Sequence, residues 1–451
     1  MLSFFSTVIW FLAAIVILVT IHEYGHYLVA RLCGVKVLRF SVGFGPRLLT
    51  YAGSNGTEFA ISAIPLGGYV KMLDERVEDV DESEHHMAFN RKSVWQRIAI
   101  AAAGPFANIL LAFVLFWLIF LRGTTGYTPV VGVVQPSSPA ALAGIESGQQ
   151  IVSVDGIATA SRRDVRLALI DRLGESGSID IGLKYEDSDN VYKSPVNIVS
   201  WLSDVNQPNP LEALGIGFYR PEAGTVISSV VPDSAARRSG FEAGDRVLSA
   251  NGGSLNSWAE WVSTIQDSAG KSLSILVERN GRELTLTLIP DAKTVDGVVM
   301  GFAGVGGTPV PMPAAMIIRE EYSAIDALGA SVAETQSAVA LVFLSLKKLL
   351  VGEISVKNLS GPIGIAKVTA DHARHSMWAF VEILAQLSVM LAVLNILPLP
   401  VLDGGHILFC LVEWVKGRPL SEKAQEWGVK AGMAVLLTMM IVAFYNDLLR
   451  L

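Results

Sequence analysis

The segment His22-Glu23-Tyr24-Gly25-His26 sets two imidazoles four residues apart with a carboxylate between them. On a helix such positions share one face, so His22 and His26 can reach a single metal ion while Glu23 stays beside it as a base. The plainer alternative is a pair of helix-packing histidines. The context argues against it, because the pattern closes the uncharged run Phe4 to Ile21, where ionisable groups are costly and need a reason. A zinc site that cuts peptides takes three protein ligands and leaves a position open for water. The third ligand must come from elsewhere. Asn395-Ile396-Leu397-Pro398-Leu399-Pro400-Val401-Leu402-Asp403-Gly404-Gly405-His406 offers Asp403, placed to close an apolar helix broken by two prolines, and on spacing alone His406. His85-His86 also suggest a metal pair, but they follow the acidic stretch Asp74 to Glu84 and read as solvated loop.

These groups need a scaffold, and its composition is that of a membrane protein. The chain has 451 residues, 51% hydrophobic and only 17% charged. Phe4 to Ile21 has the length of a bilayer span. A signal peptide fits poorly, since no positive region precedes the run and no small-residue cleavage site ends it. Further spans are expected at 98–121, 376–403 and 428–446, with the first within 1–30. Ala324 to Leu350 is interrupted by Asp326, Glu334, Thr335 and Gln336, so 311–350 is expected as an amphipathic segment on the outer membrane surface. Cations gather between Arg31 and Arg97 and again at Lys416, Arg418 and Lys423, which places 31–97 and the loop 404–427 on the cytoplasmic side. The termini and the long middle region then lie outside. In this topology the inner ends of the first and third spans bring His22, His26 and Asp403 to one depth, whereas an additional span at 324–350 would send Asp403 to the opposite face. Cys33 and Cys410 have no C-x-x-C partner, and a disulfide framework is not expected. The net charge of −7 argues against nucleic acid.

Two further regions stand out. Val37 to Tyr51 and Thr57 to Met72 are apolar, β-prone and glycine-rich, and are expected to form a hairpin. At membrane depth a free edge there could pair with a substrate segment unwound from its helix, whereas the plainer reading is an ordinary cytoplasmic hairpin. The middle region contains a repeat: Ser138, Ala140, Gly144, Gly148, Asp155 and Gly156 recur 96 residues later as Ser234, Ala236, Gly240, Gly244, Asn251 and Gly252. This resembles two PDZ domains, expected at 125–215 and 216–292. PDZ domains bind peptide ends by adding a strand to a sheet edge. Leu214-Gly215-Ile216-Gly217-Phe218 resembles the carboxylate loop of the second copy, and the first departs from the pattern at Gln149, where the second has Asp245. Spacers or steric lids that bind no peptide end are the plainer alternative.

The H-E-x-x-H near the end of the first span, the N-x-x-P-x-P-x-x-D-G stretch in the third, Gly104-Pro105-Phe106-Ala107-Asn108 in the second and the inserted repeat together resemble the site-2 protease family over essentially the whole chain. The expected fold is a polytopic α-helical membrane protein with four spans, a membrane-associated β-hairpin region and two inserted β-rich PDZ domains. The resemblance implies one catalytic zinc ion held by His22, His26 and Asp403, with His406 as a flanking group, Glu23 as general base and Asn395 as a substrate-binding residue. It implies a bacterial inner-membrane protease that cuts a single-span protein within the bilayer, such as an anti-sigma factor after a first extracytoplasmic cut, and so activates an envelope stress response. Asn108 is expected to face the bundle interior without a catalytic role. Clearance of remnant signal peptides is an alternative. A catalytically silent PDZ scaffold is another, although a structural zinc site would call for a fourth ligand and no base.

Overall fold

The computed structural model describes residues 2–54, 56–205, 208–221, 223–295 and 298–450. Helix α1 (Leu2–Leu32) carries the H-E-x-x-H pattern. Strands β1 (Val37–Ala52) and β2 (Glu58–Met72) follow as an antiparallel hairpin with an irregular register. Helix α2 (Val94–Arg122) opens on a reciprocal cap, in which Ser93 accepts from the Gln96 N–H and the Gln96 side chain accepts from the Ser93 N–H. After the middle region come α3 (Ala324–Leu350), α4 (Pro362–His375), α5 (Met377–Ile396), α6 (Asp403–Lys416) and α7 (Glu422–Leu449).

Five helices are long and apolar enough to cross a membrane: α1, α2, α3, α5 and α7. Of the amphipathic segment expected from residue 311, only Ala324–Leu350 is α-helical, after a single 3-10 turn at Ala314–Met316. Helix α6 falls where a loop was expected at 404–427, and α4 fills a stretch for which no element was expected. Helices α1 and α2 touch at close range because a Cβ at Gly25 would lie 2.3 Å from the Ala103 carbonyl oxygen. At the far end of the chain, the buried Asp447 carboxylate accepts from the Gly361 and Gly364 N–H groups at 3.0 and 2.9 Å, which fastens α7 to the start of α4.

The middle region folds as two copies of one β unit. In the first, strands 157–158, 150–154, 177–184 and 192–198 lie side by side in that order; in the second, 253–254, 246–250, 273–279 and 282–288 repeat the arrangement. Each unit closes over its own apolar core, with Ile151, Ile179, Ile181 and Leu214 fully buried in one and Phe241, Val247, Trp261 and Ile275 in the other. The tight turns match too. Asp155 and Asn251 adopt left-handed φ of 50° and 49° before a glycine, and their side-chain oxygens accept from the Asp180 and Ser274 N–H groups.

The unit boundaries differ from those expected. Strand Ile216–Phe218, expected to open the second unit, pairs with Val131–Val134 and closes the first. Val305–Gly307 closes the second by pairing with Ile227–Val230, so that unit extends past residue 292. In both cases the first strand of a unit needs a late partner to complete its ladder. The glycine loop Leu214–Phe218 therefore belongs to the first copy.

Candidate metal centre

The H-E-x-x-H motif lies in the last third of α1, where its histidines face α2. The helix packs there over glycine: a Cβ at Gly104 would stand 2.3 Å from His26 Nε2 and 2.8 Å from His22 Cε1. Nothing larger leaves room for two imidazoles. Asp403 arrives differently from expectation. Pro398 and Pro400 end α5 at Ile396, with Leu397 extended as a residue before proline prefers. The chain then turns tightly and Asp403 opens α6 rather than closing α5. Glycines at 404 and 405 allow the turn, since a Cβ at either would lie within 2.3 Å of a carbonyl oxygen from Ile396, Leu397 or Leu399.

The structure brings His22, His26 and Asp403 together. His22 Nε2 lies 3.1 Å and His26 Nε2 3.4 Å from the Asp403 carboxylate oxygens, and the two Nε2 atoms are 3.2 Å apart. Zinc bonds of about 2.0–2.1 Å in a tetrahedron require ligand atoms about 3.3 Å apart, so this triangle has the right edge. Among the described residues it is the one group of three or more His, Cys, Asp or Glu side chains with this convergence. Both histidines are buried, at 8% and 9% exposure, so their lone pairs need a cation or a proton.

The outer nitrogens are held in turn. His26 Nδ1 donates to the Ile100 carbonyl at 2.8 Å, which fixes its Nε2 as the free lone pair. His22 Nδ1 lies 3.3 Å from the Asn108 amide, whose oxygen is buried without a partner. Turning that amide lets its oxygen accept from His22 Nδ1–H and frees His22 Nε2 for a metal. Asn108 is fully buried, and its backbone carbonyl accepts from Ser388 at 2.8 Å. Its contact with His22 was not foreseen. The glycine-rich stretch around it was the available signal.

Glu23 is half-buried next to His22, and its carboxylate makes no hydrogen bond or ion pair among the described residues. Gly68 of β2 permits the hairpin to reach this point, because a Cβ there would be 2.9 Å from Glu23 Cγ. Asn395 stands in the last turn of α5, half-buried, with no side-chain hydrogen bond among the described residues. His406 is outside the triangle, one turn along α6, on the wall of a cavity of about 230 Å³ shared with Arg97, Phe409, Cys410 and Glu413. His85 is also elsewhere, 2.8 Å from Glu75.

Comparison with known proteins agrees with this chemistry. The model of peptidase family M50 matches residues 10–439. Protease RseP of Yersinia pestis is 42% identical over 99% of this chain and 100% of its own length. Regulator of sigma-E protease RseP of Escherichia coli (strain K12) is 41% identical over 100% of both chains. Its counterpart in Salmonella typhimurium (strain 14028s / SGSC 2262) is 40% identical over 99% and 100%. With a family match over nearly its whole length and a buried His, His and Asp triangle of the spacing a zinc ion needs, this chain belongs to peptidase family M50 and is a zinc metalloprotease of the site-2 type.

Proposed function

We propose that the enzyme cuts single-span membrane proteins within their transmembrane segment, and that its substrate is an anti-sigma factor already shortened by a first extracytoplasmic cut. The observation that carries this reading is the triangle of His22, His26 and Asp403 beside a free Glu23, with both histidines inside the membrane-length helix α1 and Asp403 just past the membrane-length helix α5. Relatives named as regulators of sigma-E protease support a substrate in that pathway.

In this reading His22, His26 and Asp403 hold the zinc, and Asn108 and the Ile100 carbonyl orient the two imidazoles. Bound there, zinc supplies the Lewis acidity that makes water nucleophilic near neutral pH and polarises the scissile carbonyl. Glu23 takes the proton from the attacking water and returns it to the leaving amine. Asn395, whose amide is uncommitted, holds the substrate backbone near the metal. The β1–β2 hairpin, which Gly68 brings against Glu23, offers a strand edge to an unwound substrate segment.

Four spans fit better than five. Helix α3 is tied to the first β unit at two places, by the Glu334–Arg163 ion pair and by Lys348, which donates to the Leu173 carbonyl at 2.7 Å. A helix held to one side of one folded unit does not carry its ends to opposite sides of a bilayer. The termini and both units, read as PDZ domains, then lie on the periplasmic face of the inner membrane, and the metal lies toward the cytoplasm. Each unit has a glycine loop of this kind, Leu214–Phe218 and Ala303–Gly307, and in each the first residue of the unit's longest helix packs over the loop's end, Arg162 on the Phe218 ring and Trp258 on Gly307, so both units are candidates for a peptide end.

The test is cleavage of a reconstituted single-span substrate, with and without its outer domain, by the wild type and by Glu23→Gln. The expected result is a loss of about 10²–10⁴-fold in rate with zinc content unchanged. Equal cleavage by both forms would overturn the reading.

A further inference from the structure

Asp403 reaches the histidines from the tip of α6, so its position depends on how that helix sits on α2. The triangle is level with Gly104, whose Cβ would collide with His26 Nε2. Arg97 lies two turns nearer the start of α2, about 10 Å away along the helix axis. Glu413 lies ten residues beyond Asp403, about 15 Å along α6. There the two meet in a forked pair, with Nη1–Oε2 at 3.1 Å and Nη2–Oε1 at 2.5 Å, and side chains only 12% and 19% exposed. Among the described residues it is the one side-chain hydrogen bond or ion pair joining α6 to another element, apart from Asp403 itself. The seam beside it is not solidly packed, because His406, Phe409, Cys410 and Glu413 line one wall of the 230 Å³ cavity. Beyond the Trp95–Trp414 ring contact between the two helices, with centroids 5.4 Å apart, the seam is open, and a planar guanidinium fork fixes the depth and rotation of α6 there.

We propose that Arg97 and Glu413 are positioning residues for the metal-binding carboxylate: their ion pair sets the depth and rotation of α6 on α2 and so presents Asp403 to the ion held by His22 and His26. The proposal rests on the reading of those three residues as zinc ligands.

The experiment measures zinc affinity of the full-length protein by competition with a chelating indicator, beside its thermal midpoint and the kcat and KM of cleavage. The variants are Arg97→Met, Glu413→Gln, the charge reversal Arg97→Glu with Glu413→Arg, and Asp403→Asn. Asp403→Asn is expected to lose zinc. Each single neutral variant is expected to bind zinc about 10–100-fold more weakly, as disruption of groups that orient metal ligands does, with kcat lowered and KM unchanged. The charge reversal is expected to return zinc affinity to within a few-fold of wild type. Single variants that keep wild-type affinity while Asp403→Asn loses zinc would overturn the positioning role alone. Retention of zinc by Asp403→Asn would overturn the ligand assignment and the proposal with it. Should a single variant unfold, a folded charge-reversal variant that fails to recover zinc decides against the proposal.

Discussion

The two β units start from one pattern and diverge in how a single buried polar position is served and in how each unit is attached. At matching places, Gln149 accepts from the Glu146 N–H and Asp245 accepts from the Glu242 N–H, both at 2.9 Å. The backbone task is the same. Asp245, fully buried, also receives Arg279 through Nε at 2.6 Å and Nη2 at 2.8 Å, whereas the strand register matches Arg279 to Tyr185 in the first copy, whose hydroxyl donates to Glu146 at 2.9 Å. Charge is thus used only in the copy where an arginine can reach it, as a buried carboxylate requires. Attachment differs in the same way. The first unit takes Lys348 and Glu334 from α3, receives an Asn358 hydrogen bond at the Val205 carbonyl and packs Ile354 against its core. Among the described residues, no hydrogen bond or ion pair joins the second unit to a membrane helix or to the first. Duplication has left one anchored copy and one carried by its connecting segments.

The largest expected effect comes from breaking the charged solution. Asp245→Ala leaves Arg279 without its main partner and should cost the second unit about 3 kcal/mol, at the low end for a buried pair because Arg279 is partly exposed. Gln149→Ala should cost the first unit only about 1 kcal/mol. Hydrogen exchange of 246–250 and 273–279 against 150–154 and 177–184 reads the two separately; equal losses would mean the ion pair adds nothing. Acid should make the same distinction. Burial alone would raise the Asp245 carboxyl, but Arg279 and the Glu242 N–H hold it below the ordinary carboxylate range. Because the folded value is the lower one, its contribution is complete above the unfolded value and is lost as pH falls through the folded one. Protection of the second unit should therefore decline below about pH 4, with no matching loss arising from Gln149 in the first.

Releasing the anchor comes next. Lys348 is nearly inaccessible, 3% exposed at its side chain, and besides the Leu173 carbonyl it pairs with Glu175 at 3.0 Å and Glu353 at 3.5 Å. Lys348→Met keeps the length of the chain but leaves these acceptors without a donor, at a cost of about 1–3 kcal/mol. The cost should appear in docking, as faster exchange and protease nicking at 171–176 and 353–358, while the unit's strands stay protected. Unchanged rates at those segments would remove the distinction between an anchored and a carried copy.

How far these features were legible in the sequence depended on whether the relevant contact was local. His22, Glu23 and His26 lie within one helical turn and a quarter, so their spacing alone specified a shared face. Asp403 was singled out over His406 by the resemblance to the site-2 protease family rather than by spacing, and the prolines place it at the start of α6 rather than the end of α5. The repeat was visible through turn glycines and the Asp155 and Asn251 turns, which are local. The closing strands were not, because each pairs with a strand more than seventy residues earlier and the spacing between copies breaks there: helix Pro210–Leu214 precedes one closing strand, and hairpin 291–302 precedes the other. Asn108 and Arg97 were present as residues, but their contacts with His22 and Glu413 cross the bundle and leave no periodic trace.

The smallest expected effect is at the second tie between α3 and the first unit. Arg163 is 52% exposed at its side chain, so its pair with Glu334 is screened by water and salt. Arg163→Gln should loosen docking by less than about 1 kcal/mol, and only at low ionic strength. Glu334 and Lys348 are about 21 Å apart along α3, far enough for independent effects to add. Exchange at 331–338 and 346–350 in the single variants and in the Arg163→Gln, Lys348→Met double variant checks this. Additive losses mean two separate ties on one unit. A double variant that loses much more than the sum means that α3 and the first unit dock as one cooperative body, from which the second unit is excluded.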